Sequence, residues 1–266
     1  MLTFTQLLKN IISHRALIFA LALRDLQSRY SGTLGGTLWA FTHPLSVVVI
    51  FYFVFAVGFR AQGPSGAPFI LWFVCGLVPW FFFSETLNAI TNSIYSNAHL
   101  VKKTIFPAEI LSIVHIISGL FPHACFLLIL LGMLAFFKVP FLVERLLVVY
   151  FLICNCVLLI GLGWMLSALQ VFFRDIAQGL TIILNLCFWI TPIVWPLDIM
   201  PANFRVLMFY NPLYYIVKGY RDLLIFNSVV WPSAWATFYF WSVTALLFIT
   251  GTYIFCRLKP EFADMM

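Results

Sequence analysis

Six apolar runs, at about 38–58, 69–94, 110–137, 144–170, 177–196 and 232–256, leave this chain few ways to fold. A helix needs roughly 20 predominantly apolar residues to cross about 30 Å of hydrocarbon, and each run is of that order. Only 9% of the 266 residues are charged and 63% are hydrophobic, whereas a soluble domain carries about 25% charged residues. An all-α polytopic membrane protein with six transmembrane helices is expected, because backbone amides in a bilayer must satisfy one another within the helix. The formal charge of +6 is read against that background. Lysines and arginines at helix ends mark the cytoplasmic side and meet anionic lipid, so no nucleic-acid partner is implied. The six cysteines lie mostly in apolar runs without metal-ligand spacing and read as small hydrophobes. The run ALIFALAL (16–23) ends in Arg24 and Asp25 with no small-residue cleavage pattern. The first true span is therefore expected to act as its own insertion signal.

Orientation follows from the basic residues. With the N-terminus inside, the cytoplasmic segments hold Lys9, Arg15, Arg24, Arg29, Lys102, Lys103, Arg174, Arg257 and Lys259, and the short outer loops only Arg60, Lys138 and Arg145. Both termini are expected in the cytoplasm. Residues 212–226 are apolar, but about 15 residues fall short of a crossing. Asn211 is a good N-cap and Pro212 suits the first helical position, while Pro201 opens ANFRVLMF. Two short helices entering from outside and returning, within a gate region near 197–231, keep the span count even. Such backbone survives at membrane depth only against protein or a water-filled cavity.

Residues 1–37 read as a cytoplasmic amphipathic segment, and 38–266 as a single transmembrane domain. Phe19, Leu23, Leu26 and Tyr30 share one helical face, with Arg24, Gln27, Ser28 and Ser31 on the other. Asp25 and Arg29 stand four apart in the order that favours a pair. Gly32, Gly35 and Gly36 then let the chain turn into the first span, with Trp39 at headgroup level.

No phosphate-binding loop, zinc pair, nucleophile elbow or acidic metal cluster occurs in the sequence. His115 and His123 read as packing and hydrogen-bonding residues. Polar groups within spans are costly unless they face protein or water. Ser84, Asn88, Thr91 and Tyr95 form one stripe beside Glu85, and Gln178, Thr181, Asn185 and Trp189 form another. They serve either as interhelical hydrogen bonds or as the lining of a polar route. Aromatics make up 18% of the chain, and ring faces beside polar groups suit a sugar chain.

RDLQSRY (24–30), LGGTLWAFTHP (34–44), LVKKTIFPAEIL (100–111), FRDIAQ (173–178), NPLYYIVKGYRDLL (211–224) and RLKPEFAD (257–264) follow one another around the six runs. In this order they resemble the membrane permease subunit of ABC-2 type polysaccharide exporters of bacteria. The last piece looks most like the O-antigen branch; capsule and teichoic acid exporters are related. The resemblance implies a homodimer in the inner membrane, paired with two copies of a separate ATPase that binds ATP and Mg, with a lipid-linked polysaccharide as substrate. It also implies ATPase contacts at Arg24, Asp25, Arg29, Lys102, Lys103 and Glu109, with Arg174 and Asp175 in a third turn nearby. The outer gate would include Arg205, Asn211, Pro212, Tyr215, Lys218 and Arg221, with Lys218 standing where many relatives carry an acidic residue.

On this reading the 24–44 corner couples nucleotide-driven motion of the ATPase to the first pore helix; the plainer reading is that its charges meet lipid headgroups. Substrate would pass along the dimer interface, because six helices hardly enclose a sugar polymer. The channel residues are then Phe51, Tyr52 and Phe55 in the first span, Glu85 in the second, and Asn185, Trp189 and Trp195 in the fifth. The alternatives are an ABC-2 permease for a drug or small lipid, a proton-coupled transporter using Glu85, and an integral membrane glycosyltransferase. The last needs an acid–base cluster that Glu85 and scattered histidines supply poorly.

Overall fold

The computed structural model describes residues 4–103, 106–140, 142–226 and 230–265, with only the backbone described at 4–8, 65 and 103. It opens with α1 (Phe4–Ser13) and α2 (Arg15–Tyr30). Gly32 and Gly36 then adopt φ of +74° and +49°, a region that penalises any side chain, and the chain turns into α3 (Trp39–Phe51). This continues as a π-helix over Tyr52–Gly58. There follow α4 (Phe69–Ser96), the short α5 (Ala98–Lys103), α6 (Ile110–Phe136) and α7 (Val148–Phe172). Next come α8 (Asp175–Ile190), α9 (Ala202–Phe209), α10 (Pro212–Leu224), α11 (Ala234–Leu258) and α12 (Phe262–Met265).

The bundle is built around α4, which packs on α6, α7, α8 and α10. Every residue from Phe69 to Trp80 is buried, as befits a helix apolar on all sides. Five helical segments among the described residues are long and apolar enough to cross a membrane: Gly36–Gly58, Phe69–Ser96, Ile110–Phe136, Val143–Phe172 and Ala234–Met265. The chain is thus an all-helical, multi-pass membrane protein. The run expected to form a fifth span over 177–196 is helical only to Ile190, for 16 residues, or about 24 Å at 1.5 Å per residue. Pro192 is the cause. The residue before a proline is driven out of the helical region, and Thr191 is extended at φ −67°, ψ 132°.

Without a hydrophobic force between spans, close approach of small residues carries much of the packing. At the α7–α11 crossing, a Cβ on Gly251 would collide with the Gly161 carbonyl, and one on Gly161 would lie 2.8 Å from the Cα of Phe248. Gly251→Leu is expected to force these backbones apart at a cost of about 3 kcal/mol, the upper end of ordinary overpacking. A thermal midpoint in detergent equal to that of the parent chain would refute this.

Candidate functional site

One end of the bundle gathers charge. The Glu109 carboxylate is 0% exposed; it accepts from Asn10 Nδ2 at 2.7 Å and from Lys259 Nζ at 2.6 Å. Trp164 Nε1 donates to the Glu109 backbone carbonyl at 3.2 Å. This knot ties α1, the turn before α6, α7 and the segment after α11 together. Residues 10, 109 and 259 therefore stand on the same side of the bundle. Glu109, expected at the ATPase contact, is enclosed here and holds two partners within the chain.

Asp25 also turns inward. Its carboxylate takes Arg29 Nη2 at 2.9 Å, the pair expected from their spacing, and stands 3.6 Å from His115 Nδ1 on α6. Asp25 lies on the interfacial helix, outside the spans. Burial opposes its charge, but the polar side chains of His115 and Ser118 beside it and the Arg29 guanidinium outweigh it, holding the carboxyl well below the usual carboxylate range. The face of α2 that packs is Ile18 and Ala22 against Ile110 and Val114. Phe19 and Leu23, on the expected apolar face, are left exposed. Arg24, Lys102, Arg174 and Asp175 are exposed at this end. The side chain of Lys103 lies outside the described residues.

A second region is the open face where α3 meets α8. The rings of Phe51 and Phe188 approach to 6.4 Å, with Phe51 stacked on Phe73 of α4 at 4.7 Å. Phe55 stacks on Phe69 at 5.6 Å. Phe51 and Phe55 are thus wedges between helices. Tyr52 and Trp189 flank them at 48% and 57% exposure, with Asn185 exposed on the same helix as Trp189. Trp195 donates through Nε1 to the Trp189 carbonyl at 2.9 Å. Glu85 stands apart from this group, between α3, α4 and α6 with His43 4.0 Å away. Among the described residues, no interhelical bond runs through the amides and hydroxyls of the two polar stripes. Asn88, Thr91 and Thr181 each donate to the carbonyl four residues back, a local alternative open to short polar side chains.

The third region lies around α9 and α10. Asn211 caps α10 as expected, accepting from Leu213 N at 2.9 Å, with Pro212 in the first turn. Its Nδ2 reaches Thr191 Oγ1 at 2.9 Å. Lys218 pairs with Asp222 one turn on. Arg205 donates to the Met200 and Asp198 carbonyls. The Tyr215 hydroxyl stands 3.1 Å from both Tyr150 and Thr237. Arg221 is buried and donates to the carbonyls of Trp72 (3.0 Å), Pro192 (2.6 Å) and Ile193 (2.7 Å), its guanidinium 3.6 Å from the centre of the Trp72 ring. Gly76 leaves the room for it, since a Cβ there would lie 2.5 Å from Nη2. Arg221, expected in the outer gate, fastens α10 to α4 and to the turn after α8. Its partners are backbone carbonyls, which carry no residue-type signal in sequence.

A bundle of apolar helices around α4, with one charged end and an open aromatic face, is a membrane-embedded body. The chain belongs to the ABC-2 type transporter family, whose profile matches residues 16–225. It is similar to the O-antigen export system permease protein RfbA of Klebsiella pneumoniae, 28% identical over 254 residues, covering 94% of this chain and 95% of that protein. The protein of the same name from Myxococcus xanthus is 29% identical over 263 residues, covering 97% and 98%. The polysialic acid transport protein KpsM of Escherichia coli is 24% identical over 210 residues, covering 77% and 80%.

Proposed function

We propose that this chain is the permease subunit of an ATP-driven exporter that moves lipid-linked polysaccharide, of the O-antigen class, across the bacterial inner membrane. The observation that carries the reading is its similarity, over nearly its whole length, to O-antigen export permeases. Two copies of the chain work with two copies of a separate ATPase, which binds ATP and Mg. Tyr52, Asn185 and Trp189 lie on an open face, so a route that includes them must be closed by a second body, and a second copy of the chain supplies it. The ring faces then hold successive sugars weakly, which suits a polymer that must slide. Glu85, away from that face, is the weakest member of the expected channel set.

The shared side of residues 10 and 259 supports an even number of crossings, six, and the basic residues gathered at that end support both termini in the cytoplasm. Five long spans alone would leave them on opposite sides, so α8 is the sixth, with α9 and α10 dipping in from outside and returning. The ATPase meets Arg24, Lys102, Lys103, Arg174 and Asp175. Arg29 belongs to the same surface, and Asp25 and Glu109 hold that surface in shape from within. Replacing Trp189 by alanine is expected to lower surface polysaccharide at least several-fold, with protein level and copurified ATPase unchanged. Being exposed, Trp189 contributes little to the fold of one subunit. Normal export, or lost export accompanied by lost protein, would remove it from the channel.

A further inference from the structure

Between the end of α2, the first turns of α3, and the middles of α4 and α6 lies a cavity of about 320 Å³. It shares no lining residue with the α3–α8 face or with the clip around Arg221. Opposite charges face it, Arg29 from α2 and Glu85 from α4, with His43 of α3 4.0 Å from the Glu85 carboxylate. Arg29 spends Nε and Nη2 on Asp25, which leaves Nη1 for a further acceptor. Trp39 and Phe81 wall the cavity, and Phe81 meets the His43 ring edge-on at 5.9 Å.

Its acceptors are of an unusual kind for membrane depth. Ala40 lines the cavity and precedes Pro44 by one helical turn. Proline has no N–H to return, so it leaves the Ala40 carbonyl without that partner. His123, also on the wall, is only 5% exposed, and its Nδ1 has no hydrogen-bond partner while Nε2 faces the Tyr220 hydroxyl at 3.3 Å. A buried polar atom left unpaired costs about 1–3 kcal/mol; in the tautomer whose Nε2–H donates to the Tyr220 hydroxyl, Nδ1 is an acceptor and a donor at this place recovers that loss.

A simple anion would meet repulsion from Glu85, and a simple cation would meet it from Arg29. A molecule carrying both charges a few bonds apart meets neither. Because the acceptors call for N–H donors, a primary ammonium fits where a trimethylammonium, with none to give, does not. Aromatic rings add attraction for the cation. We propose that this cavity binds the headgroup of a zwitterionic aminophospholipid from the adjoining leaflet, its phosphate against Arg29 and its ammonium against Glu85. The interfacial helix α2, the first span and the second span are then bridged by one lipid at the corner formed by Gly32 and Gly36.

The test uses the full-length chain in nanodiscs of phosphatidylcholine with equal fractions of phosphatidylethanolamine and phosphatidylglycerol. After detergent extraction, the lipid retained per protomer is counted by native mass spectrometry. Phosphatidylethanolamine is expected to be retained over both other lipids, and Glu85→Gln and Arg29→Gln each to lower that retention about tenfold. Elution volume serves as the control for intact fold; Glu85 is exposed and the glutamine is isosteric, so it should be unchanged, and Glu85→Gln, which removes the repulsion of an anion, should not lower phosphatidylglycerol retention. Equal retention of the three lipids, or undiminished retention in both variants, would overturn the proposal. Free phosphoethanolamine that competes as well as the lipid would overturn its assignment to a membrane lipid. Lipid retention is read without export, so failure here leaves the export reading intact.

Discussion

Replacing Arg221 by methionine is expected to destabilise the folded chain by about 3 kcal/mol, because buried carbonyls left without a donor cost about 1–3 kcal/mol each. Methionine fills much of the space of the arginine stem but donates no hydrogen bond. The carbonyls of Trp72, Pro192 and Ile193 would lose the guanidinium that now reaches all three. Two of these carbonyls lie in the turn that follows α8, where Pro192 has already ended the helix. Removing the charge recovers some desolvation cost, but carbonyls left dry and unpaired cost about 1–3 kcal/mol each. The second effect wins because neutral carbonyls accept every hydrogen bond of this arginine, and two of them, those of Pro192 and Ile193, lie beyond the end of α8, outside any helical ladder. Arg221→Lys should fare only partly better: an ammonium cannot reproduce the planar fork that spans two chain segments and lies on the Trp72 ring. The measurement is the thermal midpoint in detergent, together with protease cleavage in the segment between α8 and α10. A methionine variant as stable and as protected as the parent would show that the clip contributes nothing. If the clip holds, α10 moves only together with α4 and the turn after α8.

The second large effect is expected at Glu109, and it comes with an order. Lys259→Met should be the most damaging change, at about 3–5 kcal/mol, because it strands a fully enclosed carboxylate without its cation. Glu109→Ala should cost somewhat less, about 3 kcal/mol, since Lys259 retains some exposure and can turn toward water. Glu109→Gln, which keeps an acceptor for Asn10 and Lys259, should be mildest. Removing both partners, as Glu109→Gln with Lys259→Met, should restore much of what Lys259→Met alone loses, the signature of a direct coupling in a double-mutant cycle. Lys102→Ala, at an exposed position of the same end, should stay within about 0.5 kcal/mol of the parent. Thermal midpoints of the five variants test the order; equal effects of Lys259→Met and Lys102→Ala would sink it.

Much was determined by the sequence alone, and all of it is local or compositional. Apolar runs announced the spans, since a bilayer demands about 20 such residues in series. Asn211 and Pro212 announced the start of α10, because a cap and a first-turn proline act within a few residues of themselves. The spacing of Asp25 and Arg29 announced their pair for the same reason. Even the early end of α8 was written in Pro192, although the continuous run to 196 hid it. The tertiary structure alone decided what those charges do. The partners of Glu109 lie 99 and 150 positions away, and Arg221 reaches a carbonyl 149 positions away. Which face of α2 packs, and on which side of α4 the Glu85 carboxylate emerges, were likewise fixed by how α6 and α3 settle against their neighbours. Local spacing sets the direction of a side chain on its own helix, but the helix it meets is chosen by packing of the whole bundle.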